Sequence, residues 1–317
     1  MHKMKTPVYS PNTVLMVKPV QFGFNEEAAD TNKFQQKVAT LSQGEIQEKA
    51  LQEFNLFVKN LKELKVNVLV YNDSKDPFTP DSVFPNNWIS THSNGMIFTY
   101  PMLAKNRQLE RRKDIVLDLF SRFGFSYLIE LEDYEGANPP KYLEGTGSMV
   151  LDHQKKIIYA AISPRTDENV LAEFAKHLKY KVVSFIAYGA EKEKIYHTNV
   201  MMCVGEKYII IGENTIAEED RERVMETVRK ANKAVIELTN EQVYEHFAGN
   251  MLQLRNSDDE TILVMSEAAY ASLTKEQLKK LNKHNDHLLG VAIPTIEKIG
   301  GGSARCMLAE VYLPELD

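Results

Sequence analysis

Apolar runs and amphipathic stretches follow one another along this chain in a repeated order, and that order carries the fold expectation. Runs at 13–17, 66–70 and 95–100 read as strands around a helical stretch from about residue 32 to residue 64. The next stretch repeats the order: a helix at 107–120, a strand at 127–129, and strands at 148–151 and 156–160 joined by a polar turn. A third unit has its helix at 167–178, a strand at 181–185 and a hairpin of 200–204 with 207–211. The fourth has a helix at 217–231, a strand at 234–237 and a hairpin of 251–254 with 261–265. The fifth closes with a helix at 274–282, a strand at 287–291 and a last strand at 306–313. The period of roughly 60 residues exceeds that of stacked solenoids and predicts five α/β modules arranged in a ring or sheet. No GxGxxG or P-loop stands where a nucleotide-binding fold needs one, and no low-complexity linker divides the chain, so residues 1–317 are expected to form one catalytic domain.

Composition narrows the partners. With 38 Lys plus Arg against 44 Asp plus Glu, the net charge is −6 and no block of one sign draws the chain to nucleic acid or an anionic membrane. The expected partner is a small molecule, and association with further copies of the chain is left open. Neither a signal-peptide pattern nor an apolar run near 20 residues stands out, and the only two cysteines, Cys203 and Cys306, make no disulfide framework. A cytoplasmic protein with reduced thiols is therefore expected.

Three segments at strand openings carry groups suited to one reaction. Cys306 follows Gly300-Gly301-Gly302, where glycines can bring a backbone close to a ligand. By itself it reads equally well as a buried residue opening the last strand. Glu144 precedes Gly145 and Gly147, and His197 stands in Tyr196-His197-Thr198-Asn199. Thiol, imidazole and carboxylate are the minimum set for nucleophilic thiol catalysis. His92 and His153 are rival histidines without a comparable position. No cluster has metal-ligand spacing, so neither metal nor organic cofactor is expected.

The order of these strings resembles the pentein superfamily of guanidino-group-modifying enzymes, and within it the amidinotransferase-related citrulline-utilisation hydrolases. The resemblance runs through Met16-Val17-Lys18-Pro19, Phe22-Gly23-Phe24-Asn25-Glu26, Asn32-Lys33-Phe34-Gln35, Phe84-Pro85-Asn86-Asn87, Glu144-Gly145, Ser163-Pro164-Arg165-Thr166, His197-Thr198-Asn199, Gly249-Asn250-Met251-Leu252 and the glycines before Cys306. It implies a five-bladed α/β propeller of ββαβ modules. It further implies that Cys306 attacks the central carbon of a guanidine or ureido group, that His197 protonates the leaving amine and then activates water, and that Glu144 binds the substrate head and holds His197. Arg165, and Arg111 in the basic run 110–113, match the arginines that grip an α-carboxylate, a task their forked donors suit.

Arginine deiminases place aspartates where this chain has Asn87 and Asn199. Two amides in place of two anions leave a buried cation uncompensated, whereas a neutral ureido head offers an oxygen and N–H groups that an amide can meet. Citrulline is accordingly the expected substrate, giving ornithine, ammonia and carbon dioxide, with Asn87, Asn199 and backbone N–H groups around Gly302 facing the developing charge. Asp81 counts on the other side, since it supplies a carboxylate for a cation. The competing readings are an arginine deiminase or amidinotransferase, and a non-catalytic binding protein of the same fold such as a ribosome anti-association factor.

Overall fold

In the computed structural model, which describes residues 9–316, the apolar runs pair into five three-stranded sheets. Residues 1–8 and 317 of the expected domain lie outside the described residues. Four of the sheets repeat one design: a middle strand antiparallel to its hairpin partner and parallel to a strand reached through a helical crossover. Ile89–Thr91, Met96–Thr99 and Tyr127–Glu130 form one sheet, with helix Lys113–Phe123 in the crossover. Val150–Asp152, Ile157–Ala161 and Lys181–Phe185 form the next around helix Glu168–Leu178. Met202–Val204, Tyr208–Ile211 and Ala234–Glu237 follow around helix Glu218–Lys230. Leu252–Arg255, Thr261–Ser266 and His287–Val291 follow around helix Lys275–Asn282.

The remaining sheet joins the two ends of the chain. Thr13–Lys18 lies between Asn67–Asn72, parallel to it across helix Gln43–Glu63, and Ala309–Val311, antiparallel to it. That pairing places the Cys306 segment beside the first module. The sheets share hydrophobic clusters in sequence: Leu15 and Val17 pack with Trp88 and Ile97, Phe98 and Tyr100 with Ile158 and Ala160, Tyr159 with Ile209, Ile211 and Met265, and Val264 with Val14 and Met16.

Three of the differences from expectation bear on the site, and in the first two a side chain is committed elsewhere. The first long helix starts at Gln43, where Ser42 and Glu45 form a capping box. Its expected first turns instead run as an irregular strap, because Asn32 and Gln35 donate to the Gly300 and Gly301 carbonyls. The helix expected at 107–120 is broken into Lys105–Gln108 and Lys113–Phe123, with Arg107 turned into the protein. Cys306 lies in the short 3-10 turn Ala304–Met307, ahead of the strand. Short helical turns also precede three of the hairpins, at Pro85–Asn87, Gly145–Ser148 and Thr198–Val200.

Candidate active site

Asn87, His197 and Cys306, in or beside three of those turns, line one small cavity of about 10 Å³ together with Asp81, Arg107 and Arg165. His197 and Glu144 are both buried, and the His197 Nε2 to Glu144 Oε2 distance is 2.8 Å. A carboxylate on that side places the ring proton on Nε2, leaving Nδ1 as the base of the neutral imidazole. Glu144 Oε1 accepts from the Leu103 N–H at 3.0 Å and Oε2 from Arg165 Nη1 at 3.3 Å. Burial alone would raise the Glu144 carboxyl, but Arg165, His197 and Arg107 together hold it well below the usual carboxylate range. Burial lowers the His197 imidazole to about 4 against the opposing pull of Glu144, so the ring is neutral at physiological pH.

Gly147 makes this arrangement possible through close approach. A Cβ there would stand 2.4 Å from Asn87 Nδ2 and 2.6 Å from His197 Nδ1. Its backbone does not need the left-handed region, so Gly147→Ala should fold and yet push both side chains out of place. We expect kcat to fall at least about tenfold, with circular dichroism unchanged. Wild-type turnover by Gly147→Ala would show that neither neighbour has to stand where it does. The glycines before Cys306 act in the same way more than as a flexible delivery arm. Only Gly301 has positive φ, at 61°, whereas a Cβ on Gly300 or Gly302 would meet the Phe84 ring at 2.9 Å.

Asn87, Asn199 and Asp81 are all buried, and each leaves one polar atom without a partner among the described residues. Asn87 Oδ1 accepts from Arg107 Nη1 at 2.9 Å, and its Nδ2 is the free atom. Asn199 differs from expectation. Its Nδ2 points at the Cys306 sulfur, 3.4 Å away, and so serves the nucleophile's side of the site. Asp81 Oδ2 accepts from Asn25 Nδ2 at 2.7 Å, while Oδ1 is free and burial raises the carboxyl despite Arg107 nearby.

Arg165 lines the cavity as expected, but its fork is engaged: Nε and Nη2 donate to Thr31 Oγ1 at 2.9 and 2.7 Å, and Nη2 to the Ala28 carbonyl at 2.9 Å. Arg111 does not reach the cavity. It forks onto Glu135 at 2.6 and 3.1 Å and lines a separate groove with Leu109 and Leu128, so its expected role in substrate binding is corrected. The arginine brought inward is Arg107, held side-on by Glu110 through two bonds of 2.9 Å. The cue lay in the Arg107-x-x-Glu110 spacing; the denser basic run at 111–113 obscured it. Asn250 was also missed as a site residue, although Gly249-Asn250 opens its hairpin as His197-Thr198-Asn199 opens another. His92 bonds Ser90 and His153 bonds Tyr180, and neither lines the cavity. Among the described residues, no helix is long and apolar enough to cross a membrane.

A thiol, a carboxylate-held imidazole and amide donors around one cavity in a fold of five repeated α/β modules are the features of the pentein hydrolases. The sequence profile of the eukaryotic N,N dimethylarginine dimethylhydrolase family matches residues 18–313, and the chain belongs to that family. That family is one of hydrolases named for dimethylarginine. No curated protein sequence matches this chain. Among solved structures it is similar to ArgZ, an arginine dihydrolase from the ornithine-ammonia cycle in cyanobacteria, with TM-score 0.73 and 19% identity over 96% of this chain. The chain spans 41% of the length of that protein. The ArgZ N-terminal domain, solved as a Cys-to-Ser mutant bound to substrate, matches with TM-score 0.73 and 20% identity over 96% of this chain and 99% of that domain. A dimethylarginine dimethylhydrolase from Pseudomonas aeruginosa, solved as a Cys-to-Ser mutant complexed with citrulline, matches with TM-score 0.63 and 15% identity over 96% of this chain and 100% of that one.

Proposed function

We propose that this hydrolase acts on the ureido carbon of citrulline through a covalent intermediate on Cys306. The observation that carries the reading is the orientation of Asn87. A guanidinium can only donate, so Arg107 fixes the Asn87 oxygen toward itself and leaves the amide N–H groups as free donors. A donor there needs an acceptor on the substrate head. A ureido oxygen is one; a guanidinium has none.

In this reading the proton of Cys306 passes to His197 Nδ1, and the sulfur attacks the ureido carbon while Asn87 Nδ2 stabilises the charge growing on oxygen. The His197 imidazolium, stabilised by Glu144, protonates the departing δ-nitrogen of ornithine. Water then gives a proton to His197 and attacks the carbamoyl thioester, releasing carbamate and the thiol. Carbamate decays to ammonia and carbon dioxide. A covalently bound reaction intermediate in an Asn-to-Ser mutant of the similar ArgZ domain supports the covalent route. The substrate α-carboxylate falls to Arg165, replacing the Ala28 and Thr31 contacts. We read the five modules as the blades of a closed propeller, supported by the clusters shared from each sheet to the next and from the fifth to the first.

Asp81 favours a second reading, in which arginine is also a substrate. Its Oδ1 is buried without a donor, and a cationic head would meet it. The arginine dihydrolase named among the similar structures fits an enzyme that handles both heads in turn.

The test is to incubate purified protein with isotopically labelled citrulline and with labelled arginine, and to identify products by mass spectrometry. Ornithine, ammonia and carbon dioxide from citrulline are expected. Asn87→Asp should shift the ratio of kcat/KM toward arginine by about 10- to 100-fold, because it replaces a donor by an acceptor beside a buried head group. Efficient turnover of arginine with citrulline untouched would overturn the citrulline assignment.

A further inference from the structure

We propose that Asn250 is the positioning residue for the nucleophile, and that together with Asn199 it makes the Cys306 sulfur the acceptor of two amide donors. The proposal rests on the reading of Cys306 as nucleophile. Asn250 is fully buried, and both ends of its amide are used. Its Oδ1 accepts from the backbone N–H groups of Arg305 at 3.0 Å and Cys306 at 3.3 Å, across the turn that carries the thiol. Its Nδ2 donates to Cys306 Sγ at 3.3 Å and to the Asn199 carbonyl at 3.0 Å. Backbone N–H groups can only donate, so the oxygen must face the turn and the amino group must face the sulfur. Asn199 Nδ2 approaches the same sulfur at 3.4 Å.

The charged groups nearby are committed to other partners. His197 is neutral, Arg165 is bound to Glu144 and Thr31, and Arg107 is bound to Glu110 and Asn87. Two amide dipoles therefore face the sulfur in the ligand-free protein. Donors aimed at sulfur stabilise the charge that moves through it during attack, and they fix its direction of attack. One residue thus links the backbone geometry of the turn to the electrostatics of the atom it presents.

Asn250→Asp separates these two contributions. The carboxylate still offers an oxygen to the Arg305 and Cys306 N–H groups but turns an acceptor, in place of a donor, toward the sulfur. We expect alkylation of Cys306 by iodoacetamide at neutral pH, followed by intact mass, to slow about 10- to 100-fold. On the substrate that the wild type turns over, kcat should fall in parallel while KM stays within about twofold. A folded Asn250→Asp with wild-type alkylation rate would overturn the proposal, because a purely structural asparagine tolerates this change. If that variant does not fold, Asn199→Ser removes one donor without touching the turn. It should slow alkylation about tenfold, and an unchanged rate overturns the proposal equally. Alkylation needs no substrate. Slowed alkylation in a protein inert toward citrulline would therefore support the positioning role and reject only the substrate assignment.

Discussion

Cys306→Ala and Cys306→Ser should each lower turnover by at least about four orders of magnitude while leaving the fold intact, because no other group in the cavity can form the covalent intermediate. Serine can still accept from Asn199 and Asn250, so the loss in that variant isolates the chemistry of sulfur from its hydrogen bonds. Cys203 is the internal control. It lies in the hairpin strand Met202–Val204, and burial pushes its thiol up to about 12, far from the reactive range. Cys203→Ser should keep the activity and should still take one iodoacetamide adduct, whereas Cys306→Ser should take none under the same conditions. Steady-state kinetics and intact mass on the two variants, with matched thermal melts, make the check. Equal loss of activity and of melting temperature in both would return Cys306 to a packing role.

Glu144→Gln should be nearly as damaging and in two separable ways. The amide cannot supply the negative charge that stabilises a protonated His197, and kcat should fall about 10²- to 10⁴-fold. The His197 ring should titrate lower still than about 4, since Glu144 is the group pulling it upward against burial, and NMR of the ring would follow this. Arg165, bonded to Glu144 Oε2, would also lose its counter-charge, costing about 3 kcal/mol of stability at neutral pH. Glu144 is held below its ordinary range in the folded protein. Its contribution is therefore complete above the unfolded carboxylate value and disappears as pH falls through the folded one. The difference in melting temperature between wild type and Glu144→Gln should accordingly narrow on acidification below about pH 4.5. His197 acts in the same sense: its folded value lies below the unfolded one, so its contribution to stability rises with pH between about 4 and 6.5. A difference that widens on acidification would mean that Glu144 is not the charged partner.

Much of the architecture was legible because it depends on neighbours in the chain. Helix Glu168–Leu178, with Asp167 capping the N–H groups of Asn169 and Val170, and helix Glu218–Lys230 stand within one residue of where apolar periodicity puts them. Where a distant partner competes, local pattern fails. The 32–42 segment has helical composition, yet the Gly300 and Gly301 carbonyls claim Asn32 and Gln35 and draw it into a strap over the cavity. Arg107 and Arg111 lie one helical turn apart in the sequence, and only the break between Lys105–Gln108 and Lys113–Phe123 sends one into the cavity and the other to Glu135.

The sequence by itself determined the chemistry available: one thiol after a glycine run, a histidine and a glutamate at strand openings, and asparagines at two further openings, all placed by periods of two and of 3.6 residues. The direction in which each polar group points was decided by the tertiary structure. Asn87 became a donor toward the cavity because Arg107 takes its oxygen, and Asn199 became a partner of sulfur because the Ala304–Met307 turn lies against it. Asn250 acquired its role because two backbone N–H groups 55 and 56 positions away claim its oxygen. An amide carries a donor and an acceptor on one rotatable group, so its function is settled only when a partner from elsewhere in the chain has claimed one end.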